Sequence, residues 1–298
     1  MSSAPQSVLL DVRPISASER ASSLTAIQEW SGFEGPDFLA GAYPQVFSSE
    51  ATSELVGGFV EGRLVAHAAR RCVTLVTAAG DQRACFLGSV VTAPQNRGQG
   101  FGSELLRRMI AAAEAGQQDA VYLWSDRWSF YERLGFAGSG VQHEIELRPR
   151  PGILAPGIRP ARSNDVLGIL ELHRKKPLRV ERSLHDQALL LATSGLLTMV
   201  LEREGKLAAY ACYGKALDFR GWWHEVGGSD EDTATLVLGT MEVLGQEGAT
   251  LLVPPYRKKL VDRVRPCIVS SRAGVGALRK PLTPVGQAEF FVDGLDSI

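Results

Sequence analysis

The sequence lacks an excess of charge of either sign. Its 298 residues hold 32 Lys+Arg against 33 Asp+Glu, a formal net charge of −1. Proteins that neutralise many phosphates, or lie on anionic membranes, carry a basic surplus, so neither nucleic acid nor membrane is expected as a partner. Cysteine is scarce: Cys72, Cys85, Cys212 and Cys267 show no C-x-x-C spacing and no His at zinc-ligand spacing. Neither a disulfide framework nor a bound metal is expected. The four read as small core hydrophobes in a reducing compartment, and the protein as cytoplasmic. Long apolar runs are missing too. The longest apolar stretch free of charge, Ala188 to Leu201, is too short to span a bilayer and contains Ser, Thr and Gly. The first residues have no basic start and no apolar core, so no secretory signal is expected. What is present is a globular composition, 45% hydrophobic and 22% charged, which excludes disorder, collagen-like repeats and coiled coil.

Proline and glycine are concentrated in Pro149-Arg-Pro-Gly-Ile-Leu-Ala-Pro156-Gly157, a stretch that holds neither helix nor central strand. It divides the chain into 7–148 and 158–298, with 149–157 as linker. The halves echo each other. Val12-Arg13-Pro14 returns as Ile158-Arg159-Pro160, and Glu61-Gly-Arg-Leu-Val-Ala-His67-Ala as Glu204-Gly-Lys-Leu-Ala-Ala-Tyr210-Ala. Ala115-Gly-Gln-Gln-Asp-Ala returns loosely as Leu244-Gly-Gln-Glu-Gly-Ala. The order is kept while the offset shrinks, the mark of a tandem duplication with a deletion in the second copy.

In the first half, Leu9–Pro14, Glu54–Glu61, Arg63–Thr77, Arg83–Val91, Ala120–Trp124 and Gln142–Leu147 read as strands. Helices are expected over Ala17–Trp30, Phe101–Ala115 and Ser129–Leu134. In the second of these, Phe101, Leu105, Leu106, Met109, Ile110 and Ala113 share one face. The fold class is α/β, a mixed and mostly antiparallel sheet flanked by helices.

One strand-to-helix turn is unusual: Val91-Thr92-Ala-Pro-Gln95-Asn-Arg97-Gly98-Gln99-Gly100-Phe101-Gly102-Ser103. Glycines allow close backbone approach, several N–H groups can share one concavity, and a helix N-terminus adds positive potential. The turn suits a pyrophosphate. The Rossmann pattern fails because Ser103 stands where a third glycine is needed, and the P-loop fails because no Gly-Lys-Ser/Thr follows. The remaining pattern, Gln95-x-x-Gly98-x-Gly100 after a strand, is joined about 30 residues on by Phe130-Tyr131-Glu-Arg-Leu-Gly135-Phe136. Together, in this order, the two motifs resemble the acetyl-CoA loop and the F-Y-x-x-x-G-F signature of the GNAT family of N-acetyltransferases, over roughly residues 7–147. Trp124-Ser125-Asp126 departs from the family, which often has an Asn there, so pantetheine contacts are expected to differ.

The resemblance implies two tandem GNAT-like domains, the second degenerate. It also implies acetyl-CoA as co-substrate, held between splayed parallel strands by Val90, Val91, Thr92, Arg97, Gly98, Gln99, Gly100, Phe101, Gly102 and Ser103. A main-chain N–H near Val90 would polarise the thioester carbonyl. Tyr131 would be the general acid: a phenol stays protonated at neutral pH and can assist the departing thiolate. No carboxylate lies on Cys85–Val91, so the base is open between His67, read also as a core histidine, and a water chain. Glu34 and Asp37 are candidates for the acceptor site, or solvated loop charges. The acceptor is a small-molecule or peptide amine.

The second half has Val226-Gly-Gly-Ser-Asp230-Glu231-Asp232 in place of the glycine turn, and three carboxylates repel a pyrophosphate. It is read as a buttress or a wall of the acceptor site. Trp222-Trp223-His224-Glu225 reads as a buried strand or as part of that wall, and His173-Arg-Lys-Lys-Pro177 as a solvated loop. The competing function is a catalytically silent acyl-CoA-binding sensor or scaffold.

Overall fold

The computed structural model describes residues 9–33, 38–149, 152 and 156–298. Residues 150–151 and 153–155 of the expected linker lie outside them, as do Glu34 and Asp37. The first half runs β1 (Asp11–Pro14), α1 (Arg20–Trp30), α2 (Phe38–Ala42), α3 (Pro44–Phe47), β2 (Glu54–Val60), β3 (Arg63–Thr77), β4 (Gly80–Thr92), α4 (Phe101–Ala115), β5 (Ala120–Leu123), α5 (Trp128–Glu132) and β6 (Ala137–Leu147). The second runs β7 (Ile158–Pro160), α6 (Val166–Arg174), β8 (Arg179–Val180), α7 (Leu184–Leu191), β9 (Leu197–Arg203), β10 (Lys206–Tyr213), β11 (Trp222–Gly228), α8 (Asp230–Val243), β12 (Ala249–Val253), α9 (Lys258–Val264) and β13 (Ile268–Pro281). Helix α4 buries the apolar face expected of it, against Val65, Ala66 and Ala68 of β3 and Leu87 of β4.

All of the strands join one mixed sheet in the order β1-β2-β3-β4-β5-β13-β6-β12-β11-β10-β9-β7, with β8 beside β3. The order reads as a pseudo-palindrome about its centre. Position for position, β4 answers β11, β5 answers β12, and the two last strands, β13 and β6, are exchanged. Strand β13 pairs antiparallel with β5 of the first half, and β6 with β12 of the second. They meet along a long antiparallel ladder from Ile268↔Leu147 to Arg279↔Ala137. Neither half completes its sheet with its own strands.

Two parallel pairs open into forks. Strands β4 and β5 pair only at Ala84↔Ala120, Cys85↔Val121 and Phe86↔Tyr122. Strands β11 and β12 pair only at Trp222↔Thr250 and Trp223↔Leu251. The second fork is filled from within by the tail after β13. Phe291 packs with Leu252 on β12, the Gly294 N–H donates to the His224 carbonyl on β11 at 3.2 Å, and a Cβ on Gly294 would strike His224.

Buried charges hold this tail. Arg182 forks onto Glu225 at 2.8 Å and Asp296 at 2.6 Å, Arg71 of β3 reaches Asp296 at 3.1 Å, and Lys176 reaches Asp293 at 2.8 Å. Lys215 donates to the carbonyls of Gly294, Leu295 and Ser297. Two expectations are corrected here. His173 and Lys176 are buried among these groups rather than in a solvated loop, because Glu225 and Asp293 need cationic or hydrogen-bonding partners. Cys72 is exposed, while the other three cysteines are buried. Trp222–Glu225 is the buried strand, since Trp223, His224 and Glu225 are each nearly inaccessible.

Removing one partner of a buried pair leaves a charge without water or counter-charge, at a cost of about 3–5 kcal/mol. Arg182→Leu should lower unfolding free energy by that amount in urea titrations. Arg203→Leu, which removes a half-exposed partner of Asp232, should cost less than about 1 kcal/mol.

Candidate functional site

The open fork between β4 and β5 is created by a bulge. Across β3 and β4 the register runs Ala69↔Gly88 and then His67↔Val91, so β4 carries one residue more than β3. The extra residue forces Ser89 to φ +50°, and the ring of His67 takes up its displaced carbonyl, Nδ1 to O at 2.9 Å. A carbonyl only accepts, so Nδ1 carries the proton. His67 is fully buried, does not line the fork, and burial pushes its pKa down to about 4. It is neutral at physiological pH and acts as a prop for the bulge.

Beyond the bulge lies a cleft of about 980 Å³. Val90, Val91 and Thr92 line it along β4; Leu123, Trp124 and Ser125 line it along β5. At its outer end the turn before α4 contributes Arg97, Gly98, Gly100, Phe101, Gly102 and Ser103. Gln99 does not line it; its amide turns back to the Gln95 carbonyl at 3.2 Å. Gly98 and Gly100 have φ of +79° and +87°, and a Cβ on either would meet nothing within 4 Å, so the concavity is open and the left-handed backbone favours glycine. Gly100 caps α4 without a side chain, which leaves the first-turn N–H groups free of a side-chain cap. Arg97 donates to the carbonyls of Thr92 and Trp30, each at 3.2 Å, which ties the turn to the ends of β4 and α1.

The equivalent turn of the second half is closed. Ser229 caps α8 by accepting from the Asp232 N–H at 3.0 Å, and Asp230, Glu231 and Asp232 are taken up by Arg257, Arg263 and Arg203. The acids that excluded a pyrophosphate on charge grounds are helix-capping and ion-pairing residues.

Tyr131, on α5, lines the cleft with Phe130 and is 7% exposed. Burial raises its pKa, partly offset by a hydrogen bond with Ser125. The phenol is therefore protonated at neutral pH. The rest of the lining was expected only in outline, as a wall contributed by the second half. It combines Trp30, Phe33 and Tyr43 from the first half with Asp218 and Phe219 from the loop before β11, and Ser297 and Ile298 from the tail. The main chain of Ile298 lies where a Cβ on Gly88 would be.

A bulged β4, a fork with β5, an uncapped glycine turn and a tyrosine on the next helix occur here in one order. The family model described as acetyltransferase (GNAT) domain matches residues 12–138. Residues 12–138 belong to the GNAT acetyltransferase family. The whole chain shares its fold with larger GNAT structures. A GCN5-related N-acetyltransferase from Kribbella flavida superposes with a TM-score of 0.68 at 16% identity, over 93% of this chain and 73% of that one. One from Anabaena variabilis gives 0.70 at 10% identity, over 93% and 74%. A conserved protein of Enterococcus faecalis V583 gives 0.72 at 17%, over 92% and 72%. At such identities the likeness is one of fold. No curated protein matches the sequence significantly. Among the described residues, no helix is long and apolar enough to cross a membrane.

Two outcomes follow from the geometry. Gly100→Asp places a side chain and a charge in the open concavity. Titration calorimetry should show one CoA per wild-type chain, and the variant should lose far more than threefold in affinity, against a stability loss of about 1 kcal/mol from the left-handed backbone. His67 and His224 have pKa values depressed to about 4 by burial. The unfolded chain thus binds more protons between pH 6.5 and 4, and stability falls as pH drops through that window. His67→Gln should flatten this slope in denaturation curves recorded from pH 7 to 4.5.

Proposed function

We propose that the chain transfers an acetyl group from acetyl-CoA to a primary amine by direct attack, with Tyr131 as general acid. The observation that carries this reading is the fork. Its uncapped glycine turn and the Tyr131 phenol face one cleft, while the matching fork of the second half is filled by the tail. The turn from Arg97 to Ser103, without Gln99, would hold the pyrophosphate, and Val90 to Thr92 would line the pantetheine arm. Acetyl-CoA, when bound, supplies an activated thioester.

A main-chain N–H at the bulge would stabilise charge building on the thioester oxygen. The neutral amine lone pair attacks the carbonyl carbon, the C–S bond breaks, and the Tyr131 O–H stabilises or protonates the departing thiolate. His67 is assigned the role of holding the bulge, and the amine's proton leaves to solvent. The halves divide the labour: the first binds the thioester, and the second walls the acceptor side with Asp218 and Phe219. A silent acyl-CoA sensor would use the same cleft without turnover.

Thiol release from acetyl-CoA with a panel of primary amines separates the two, because a sensor releases none. Tyr131→Phe should lower kcat by about 100- to 10,000-fold with little change in KM for acetyl-CoA. Thiolate needs less assistance as pH nears about 8.5, so the deficit should shrink in alkaline buffer. Wild-type kcat in the variant at pH 7 would make Tyr131 a packing residue only.

A further inference from the structure

The cleft is electrically polarised. Three guanidinium groups, of Arg97, Arg127 and Arg133, line it, against a single side-chain carboxylate among the described residues, that of Asp218. The arginines belong to the glycine turn and to the start and end of α5, around the hydrophobic cluster of α4 and Tyr131. Asp218 belongs to the loop before β11, in the second half. It accepts a hydrogen bond from the Tyr43 hydroxyl at 2.7 Å, and Tyr43 packs with Ile27, Leu39 and Ile298 in the cluster of α1 to α3. An anionic co-substrate and a cationic acceptor would thus meet complementary walls.

The state of Asp218 is unlike that of the acids around it. Asp230, Glu231, Asp232, Glu225, Asp293 and Asp296 each have a cationic partner. Asp218 forms no ion pair among the described residues. Lys215, three residues away, gives its hydrogen bonds to the tail carbonyls and reaches Asp218 only through its electric field. The phenol of Tyr43 fixes one carboxylate oxygen and leaves acceptor capacity on the other. Phe219, Trp30 and Phe33 place aromatic surface in the same cleft, which favours a cation further.

We propose that Asp218 is the specificity carboxylate of the acceptor site, and that the acceptor is a primary amine carrying a second amino group that is protonated at neutral pH. The reacting nitrogen must be neutral to attack. The second nitrogen stays charged and pairs with Asp218, so the second half selects the substrate that the first half acetylates. This rests on the acetyltransferase reading.

The test uses calorimetry on the full chain. CoA is titrated first. The CoA-loaded protein is then titrated with 1,5-diaminopentane and with n-hexylamine, of similar length but one charge fewer. Wild type should prefer the diamine by about tenfold or more, with the preference falling as salt rises. Asp218→Asn keeps an oxygen for Tyr43 and removes the charge. It should bring the two ligands within about twofold of each other, and Asp218→Glu should restore part of the preference. Equal binding of both amines by wild type, or a preference that survives in Asp218→Asn, would overturn the inference while the acetyltransferase reading stands. Failure of wild type to bind CoA would overturn both.

Discussion

Parallel strands that stop pairing must find other partners for their backbone N–H and C=O groups. This constraint arises twice in the molecule, once after Phe86 and Tyr122 and once after Trp223 and Leu251. The two forks meet it differently. In the second, the chain's own tail supplies the partners, as the Gly294 N–H does for His224. In the first, the His67 ring takes the bulge carbonyl and the rest of the edge faces a cleft. One fold thus contains a filled fork and an open one, and the difference lies in where about ten tail residues run.

The filled fork is also what completes the open one. Anchored by Arg182, Arg71, Lys176 and Lys215, the tail leaves the second half and delivers Ser297 and Ile298 to the lining of the open cleft. Charges this deeply buried add little net stability over apolar residues, but they penalise every alternative path of the tail heavily. Their contribution is position. The wall holding Asp218 and Phe219 joins the first half through the Tyr43 hydrogen bond and through Ile298 at Gly88.

Much of the first half was legible from local signals. The face of α4, the glycine turn and the tyrosine motif are short-range patterns, and each element lies within a few residues of its expected place. What was not legible came from pairings far apart in the chain. Nothing near Asp218 announces Tyr43, 175 residues away. The basic run at His173–Lys176 looked solvated because its acidic partners, Glu225 and Asp293, are equally remote. His67 was open between base and core histidine because its alternation on β3 does not reveal a bulge on β4. Gln99 fits the turn's spacing, yet its side chain folds back along the turn.

The exchange of β6 and β13 has a consequence for how the protein is made. Synthesis proceeds from the first half to the second, and β5 can obtain its neighbour only when residues 268–281 have emerged. Until then the nascent first half presents a bare parallel edge beside an unfinished fork, the kind of surface on which chains pair wrongly with one another. Strand β6 waits in the same way for β12. The first half therefore cannot close its sheet before the second is made, and a ribosome stalled between the halves would leave a fragment with exposed strand edges.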